Sequence, residues 1–243
     1  SIAIKDNGTL WAWGLNSKGQ VGDGSNVNKN SPTQIGTDTD WQIIDAGSYA
    51  AFGIKTNGTL WSWGENHKGQ LGLGNYTNRN VPVQVGTASD WKNISGGTSH
   101  TLALKTDGTL WGCGYNSFGQ LGLGNNQDKT TFNKIGTDTD WQDFAAGGNH
   151  SIAKKANGVV YTWGLNLYGA LGDGTGTNKN LPNPVFDQAL HVEAGFSHCA
   201  VITVNYELFA WGQNDYGQLG DGTTGIQYNP TKIGNATDRV AIS

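Results

Sequence analysis

The side chains able to do chemistry in this chain recur at fixed intervals. His100, His150 and His198 share one repeat position, with Tyr49 standing in for histidine in another repeat, and imidazole is a common zinc ligand. Placed once per repeat, the three stand too far apart to converge on one ion unless they line an axis, so hydrogen-bonding roles are expected. Asp38-Thr-Asp40, Asp138-Thr-Asp140 and the loops Gly22-Asp-Gly24, Gly172-Asp-Gly174 and Gly220-Asp-Gly222 look like fragments of calcium loops. None has the series of oxygen ligands that closes on a bidentate Glu, and turn chemistry accounts for them. The glycine clusters imitate a Gly-x-Gly-x-x-Gly phosphate cradle, but no strand-to-helix unit follows. A nucleophile elbow, a His-Glu-x-x-His motif, a Gly-Lys-Ser/Thr loop and a carboxylate pair outside the repeats are all lacking. An enzyme needs at least one asymmetric site, and the polar groups here are periodic. A chain without catalytic activity, cofactor or metal is expected.

The elements that carry these side chains follow from five copies of one unit. Gly-Gln-Val-Gly-Asp-Gly starts at Gly19, and related hexapeptides start at Gly69, Gly119, Gly169 and Gly217. Upstream of each lies an aromatic pair and glycine: Trp11-Ala-Trp13-Gly14, Trp61-Ser-Trp63-Gly64, Trp111-Gly-Cys113-Gly114, Tyr161-Thr-Trp163-Gly164 and Phe209-Ala-Trp211-Gly212. All ten Trp fall in repeat columns, two in these strands and one at Trp41, Trp91 and Trp141, which points to packing between repeats.

Each unit reads as a four-stranded antiparallel blade. Thr101–Lys105 alternates apolar with small or polar residues, Asp107-Gly108 supplies a hairpin turn of positive φ, and Leu110–Cys113 returns. Asn7-Gly8, Asn57-Gly58 and Asn157-Gly158 repeat the turn, and the same dipeptide creates sequons such as Asn7-Gly-Thr9. Asn205-Tyr206 lacks the glycine, so the fifth hairpin should be the least regular. Further strands are expected from Trp41, Trp91 and Trp141, and near Pro32–Ile35, Pro82–Val85 and Asn133–Ile135. The whole is an all-β chain, a single β-propeller domain over residues 1–243. Its repeats run about 1–40 with 236–243, 41–90, 91–140, 141–189 and 190–235. Arg239–Ser243 matches Trp41–Asp45 and Ser1–Lys5 matches Ala51–Lys55, so the termini are expected to share one blade, although the counterpart of Ala46–Ala50 is missing.

Composition agrees with many short strands. The 38 Gly and 5 Pro together stay below the roughly 25–30 % that marks low-complexity disorder. With 15 Lys plus Arg against 19 Asp plus Glu, the net charge is −4, and the basic footprint of a nucleic-acid binder is missing. No apolar run approaches the ~20 residues of a membrane span. The chain starts at Ser1 and contains no Met, as a processed or partial chain would. Cys113 and Cys199 suggest free, half-buried thiols rather than a disulfide.

The pattern Gly-x-Asn-x-x-Gly-Gln-Leu-Gly-x-Gly after Trp-x-Trp-Gly, with Gly-x-Ser-His at Gly97–His100 and Gly195–His198, resembles the regulator of chromosome condensation repeat over essentially the whole chain. The resemblance implies a rigid propeller that presents loops to another protein. The positions where repeats differ are therefore the candidate interaction residues: Tyr49, Tyr115, Phe118, Leu165, Leu167, Tyr168, Phe196 and Tyr216. Exposed aromatics on rigid loops suit protein recognition. Two alternatives are carbohydrate binding, in which Asn, Asp and Trp serve a lectin-like propeller, and a structural repeat segment of a larger surface protein, suggested by the near-identical spacers at Ile35–Asp40 and Ile135–Asp140. An extracellular or cell-surface setting is favoured.

Overall fold

Where apolar alternation meets an Asn-Gly or Asp-Gly pair, the chain must reverse, and it does so in the four repeats that carry the pair. The computed structural model describes residues 1–242. Strands are its regular elements, with no helix among the described residues. The first sheet contains β1 (Ile2–Ile4), β2 (Leu10–Gly14) and β3 (Lys29–Gln34) in that order. Four four-stranded antiparallel sheets follow. They are β4 (Trp41–Ala46), β5 (Ala50–Lys55), β6 (Leu60–Gly64) and β7 (Arg79–Gln84); β8 (Trp91–Gly96), β9 (His100–Lys105), β10 (Leu110–Gly114) and β11 (Lys129–Lys134); β12 (Trp141–Ala146), β13 (His150–Lys155), β14 (Val160–Gly164) and β15 (Lys179–Phe186); and β16 (Ala189–Ala194), β17 (His198–Thr203), β18 (Leu208–Gly212) and β19 (Gln227–Lys232).

The hairpin between second and third strands needs a left-handed residue, and Gly58, Gly108 and Gly158 supply it at φ of 77°, 77° and 82°. In the fifth hairpin Tyr206 takes the same conformation at φ 60°. Its N–H donates to Thr203 O at 2.9 Å, and β17 still pairs with β18 in the common register. The expected irregularity is thus absorbed by one tyrosine backbone rather than by the sheet. In all five sheets a register shift separates the last two strands just before the closing glycine of the aromatic strand, for example between Ser62 and Gly64. Such a bulge turns the side chain at that position out of ordinary alternation, and Trp63, Trp163 and Trp211 are sealed from solvent.

Two units make up the chain: residues Ser1–Tyr115 with Asp128–Lys134, and residues Asn116–Gln127 with those from Ile135 onward. In the first, Leu10, Val21, Trp41 and Trp63 form one apolar cluster, and Phe52, Leu71, Trp91 and Ala103 another. In the second, Ile152, Val192, Val201 and Trp211 form the corresponding core.

Two expectations are corrected. Arg239–Ile242 form no strand among the described residues, and the first sheet has three strands; Ser243 of the expected closing segment lies outside them. Arg239 offers no indole where Trp41, Trp91 and Trp141 anchor their strands, and its guanidinium instead donates to Ala236 O at 2.6 Å. Cys113 and Cys199 are free but fully buried, not half-buried.

Candidate functional site

The blade framework ends in two kinds of loop, and polar side chains decide what each can do. At the hairpin end the acidic motifs are matched by lysine. Lys55 Nζ lies 2.6 Å from Asp38 and 3.0 Å from Asp40, above the rings of Trp41 and Trp61. Lys105 meets Asp90 at 3.0 Å, and Lys155 meets Asp138 at 2.9 Å. Burial works against the Lys55 charge, but hydrogen bonds to Asp38 and Asp40 outweigh it and raise the pKa. These carboxylates compensate a lysine. The asparagine of the Asn-Gly-Thr turn is likewise occupied: Asn57 Oδ1 accepts the Thr59 N–H and hydroxyl, and the Trp61 indole donates to Thr59 Oγ1 at 3.0 Å.

Two members of the histidine column, His100 and His150, are interior, and His198 is half-buried. β9 and β13 begin at His100 and His150 and β5 at Ala50, so Ala50 rather than Tyr49 has the histidine register. His150 Nε2 approaches Cys199 Sγ at 3.1 Å, with both side chains sealed. Burial, then repulsion from His198, holds the His150 imidazole down at about 4, and burial pushes the Cys199 thiol up. A neutral imidazole beside a protonated thiol is a packed pair, not an activated nucleophile.

At the other blade end, the turn between first and second strands meets the loop after the third. Glu65, Tyr115, Leu165 and Gln213 donate their N–H groups to Tyr49, Ser99, Asn149 and Ser197 carbonyls at 2.8–2.9 Å. A buried asparagine then fixes the long loop. In the fourth blade the Asn166 side chain donates to Asp173 Oδ1, Thr175 O and Thr177 O at 2.9–3.2 Å and accepts the Leu171 N–H at 2.9 Å. Asn16 does the same in its blade, Asn66 holds two carbonyls and the Leu71 N–H, and Asn214 holds Asp221 Oδ1, Thr223 O and the Leu219 N–H. The aspartates of the Gly-Asp-Gly pieces belong to this lattice. Burial opposes ionisation of Asp23, but Lys29 at 2.6 Å and Ser25 prevail and bring its pKa to about 2.

On this braced end the candidate residues divide. Leu167 is 59 % exposed and Phe196 68 %, on adjacent blades whose turns are joined by the Gly148 N–H to Phe196 O bond of 3.0 Å. Leu165 and Tyr168 are half-buried beside Leu167. Tyr49 is moderately exposed, and Tyr115 is half-buried with Lys68 Nζ 4.8 Å from its ring centroid. Phe118 is half-buried along a groove of about 390 Å³ shared with Asn126, Asn178, Asn180, Leu181 and Asn183. Tyr216 is 91 % exposed, whereas Tyr168 and Phe118 at its repeat position are half-buried.

One asymmetry escaped the reading of varied positions. Gln20, Gln70, Gln120 and Gln218 each turn Oε1 back to accept a loop N–H, from Lys18, Lys68, Phe118 and Tyr216 at 2.9–3.1 Å. Ala170 stands at that position in the fourth blade, so the Tyr168 N–H lacks this brace. The loop that exposes Leu167 is also the one without its glutamine. The signal was present in the sequence as Gly-Ala-Leu-Gly, but its meaning depends on a hydrogen bond.

Comparison with known proteins agrees with this geometry. The Regulator of chromosome condensation (RCC1) repeat model matches residues 7–54, 57–104, 107–153, 157–202 and 207–243. Human WBSCR16 is similar in structure, with a TM-score of 0.85, 23 % identity, and coverage of 96 % of this chain and 64 % of that one. Saccharomyces cerevisiae Prp20p, described with its binding to Gsp1p and histones, gives 0.84 and 22 % over 98 % of this chain and 61 % of its own. Yeast RCC1 (Prp20) bound by Kap60 gives 0.86 and 21 %, with 98 % and 59 % covered. The chain therefore spans about 59–64 % of the length of these structures. None of the curated proteins compared matches it. Five matched repeats, the recurrent blade and the shared β-propeller fold place this chain in the RCC1 repeat family.

Proposed function

We propose that the protein is a non-catalytic interaction scaffold whose blades hold a protein-binding surface at their long-loop end, centred on Leu167 and Phe196. The observation that carries this reading is the contrast within the fourth-blade loop, where Asn166 is sealed by its hydrogen bonds while the next residue, Leu167, is 59 % exposed. Rigid presentation of an apolar side chain lowers the ordering cost of binding, and Asn149, whose carbonyl accepts the Leu165 N–H, and Gln213, whose N–H donates to Ser197 O next to Phe196, supply polar groups for the rim of a recognition patch. Prp20p, which shares the fold, is described as binding Gsp1p and histones; a protein partner suits the present chain as well, and its net charge of −4 favours a partner other than nucleic acid. Affinity capture from source extract tests the reading, comparing the chain with a Leu167→Ser, Phe196→Ser form of unchanged melting temperature. A stoichiometric protein retained by the first and lost by the second is expected. Retention of the same proteins by both would remove these residues from the interface.

A second reading has one observation in its favour. The groove beside Phe118 gathers the amides of Asn126, Asn178, Asn180 and Asn183 near an aromatic face, a combination suited to sugar hydroxyls and a sugar ring. A glycan array read with the chain and its Phe118→Ala form separates the two: saturable glycan binding lost in the variant would favour carbohydrate recognition.

A further inference from the structure

Proline is confined to one kind of element in this chain. All five prolines lie in the last strands of the blades, and Pro32, Pro82, Pro182 and Pro230 hold the same repeat position in β3, β7, β15 and β19. In the second blade the Leu60 carbonyl accepts the Val85 N–H, whereas the Asn80 carbonyl accepts the Gly24 N–H of the preceding loop, each at 2.8 Å. Main-chain groups alternate in direction along a strand, so Asn80, Pro82 and Gln84 turn theirs outward, away from β6. Proline suits such an edge because the sheet needs no N–H from it there, and its ring blocks a further strand.

The third blade departs from this rule, with Phe132 in β11 at the proline position. The reason for the ring lies inside the sheet. Cys113 stands where Trp63, Trp163 and Trp211 contribute an indole, and Phe132 takes up the space, its ring 5.1 Å from that of Trp91. A Cβ at Gly72 would lie 2.6 Å from Phe132 Cε2, where one at Gly22 or Gly172 would lie 2.7 or 2.6 Å from an indole nitrogen. Filling the interior in this way leaves the edge with an N–H that the other blades have removed. Thr130 O is occupied by the Gly74 N–H at 2.8 Å, but among the described residues no loop main chain bonds to Phe132 or Lys134. Charge at this edge is also uncompensated. Asp23 and Asp173 hold Lys29 and Lys179 at 2.6 and 3.4 Å, but Leu123 stands at their repeat position in the third blade. Neither Lys129 nor the exposed Lys134 has an ion pair among the described residues.

We propose that the outer edge of β11 takes up an extended acidic segment of a partner protein as a fifth strand of the third sheet. The main-chain groups of Phe132 and Lys134 pair with the segment, and the Lys129 and Lys134 ammonium groups meet its carboxylates. A second copy of the chain is a poor occupant, because pairing β11 with itself brings the lysines of both copies together. The site runs along the side of a blade and involves neither Leu167 nor Phe196, so it adds a contact read through main chain to the one read through apolar side chains.

Fluorescence polarisation with a labelled strand peptide, Asp-Val-Thr-Val-Thr-Asp, tests this beside the same peptide with Lys in place of Asp. Saturable binding of the acidic peptide that shifts the NMR signals of the Phe132 and Lys134 amides is expected, with binding of the basic peptide at least roughly tenfold weaker. The decisive variant carries Cys113→Trp and Phe132→Pro together. It gives the third blade the residues of the second, so the indole refills the interior while proline closes the edge. Shown by its circular dichroism melt to be folded, it should bind neither peptide. A second variant, Lys129→Glu with Lys134→Glu, changes surface charge alone and should reverse the preference between the peptides, whether or not the first variant folds. Absence of saturable binding of the acidic peptide to the original chain overturns the proposal. So does binding retained by the folded proline variant, an NMR shift that spares Phe132 and Lys134, or a preference that the lysine variant leaves unchanged.

Discussion

Trp163 and Leu167 lie four residues apart in one blade and have opposite fates. The indole is sealed, its N–H fixed on Gln120 O, and its ring set 6.2 Å from Trp141. Leu167, one turn of loop later, is 59 % exposed on a backbone held by Asn166. Both are large apolar residues in a repeated segment, so hydrophobicity does not separate them. What separates them is periodicity. Indoles recur at the first position in Trp13, Trp63 and Trp211, whereas the second reads Ser17, His67, Ser117, Leu167 and Asp215 from blade to blade. Repetition marks the framework, and its interruption at an exposed position marks a surface free to specialise.

The interior carries the largest expected effect. Trp163→Ala should lower stability by about 3–5 kcal/mol, because a sealed indole leaves a cavity and an unpaired carbonyl. Denaturant unfolding would show it, and an unchanged midpoint would mean that the column does not hold the blades.

The next largest effect is acid. His150 titrates near 4 in the fold against an ordinary 6.5, so the fold holds the neutral imidazole. The stability this represents is fully present above pH 6.5 and is lost as pH falls from 6.5 through 4. A shift of this size corresponds to about 3 kcal/mol. Melting curves across that window should steepen downward, and His150→Asn should flatten the dependence. The lowered Asp23 contributes at more acid pH, from its ordinary 3.8 down to about 2, so the two effects separate on the pH axis.

Asn166→Ala should cost about 2 kcal/mol by orphaning the Leu171 N–H and the carbonyls of Thr175 and Thr177. The same substitution should also abolish partner binding at temperatures where the protein remains folded, as a binding assay at such a temperature would show. Smallest of all, Leu167→Ser and Phe196→Ser should move stability by no more than about 0.5 kcal/mol, as exposed substitutions do, while removing the binding that the loop end supports.

The blade was legible in the sequence because its strongest signals are local. Asn57-Gly58 needs only its own dihedral angles to make a hairpin, and Trp61-Ser-Trp63 shows its alternation without reference to any other segment. The candidate surface and the closing segment were less legible. Phe118 lines its groove with residues 178–183, which no short window brings together. Whether an apolar loop residue is covered depends on the neighbouring blade, which is why Tyr216 and Tyr168, alike in repeat position, differ so much in exposure. Arg239–Ser243 matched a strand by pattern, but a strand exists only against a partner edge, and Arg239–Ile242 form none among the described residues.

The central claim is that the framework is uniform and binding belongs to the long-loop end. Photo-crosslinking addresses it directly, with a photoreactive phenylalanine analogue placed at Phe196 or Leu167 and, at the hairpin end, at Asp107 or Asn157, each chain being exposed to source extract. The account predicts adducts with one discrete protein from positions 196 and 167 and none from 107 and 157. Equal adducts from both ends, or adducts from the hairpin end alone, would contradict it.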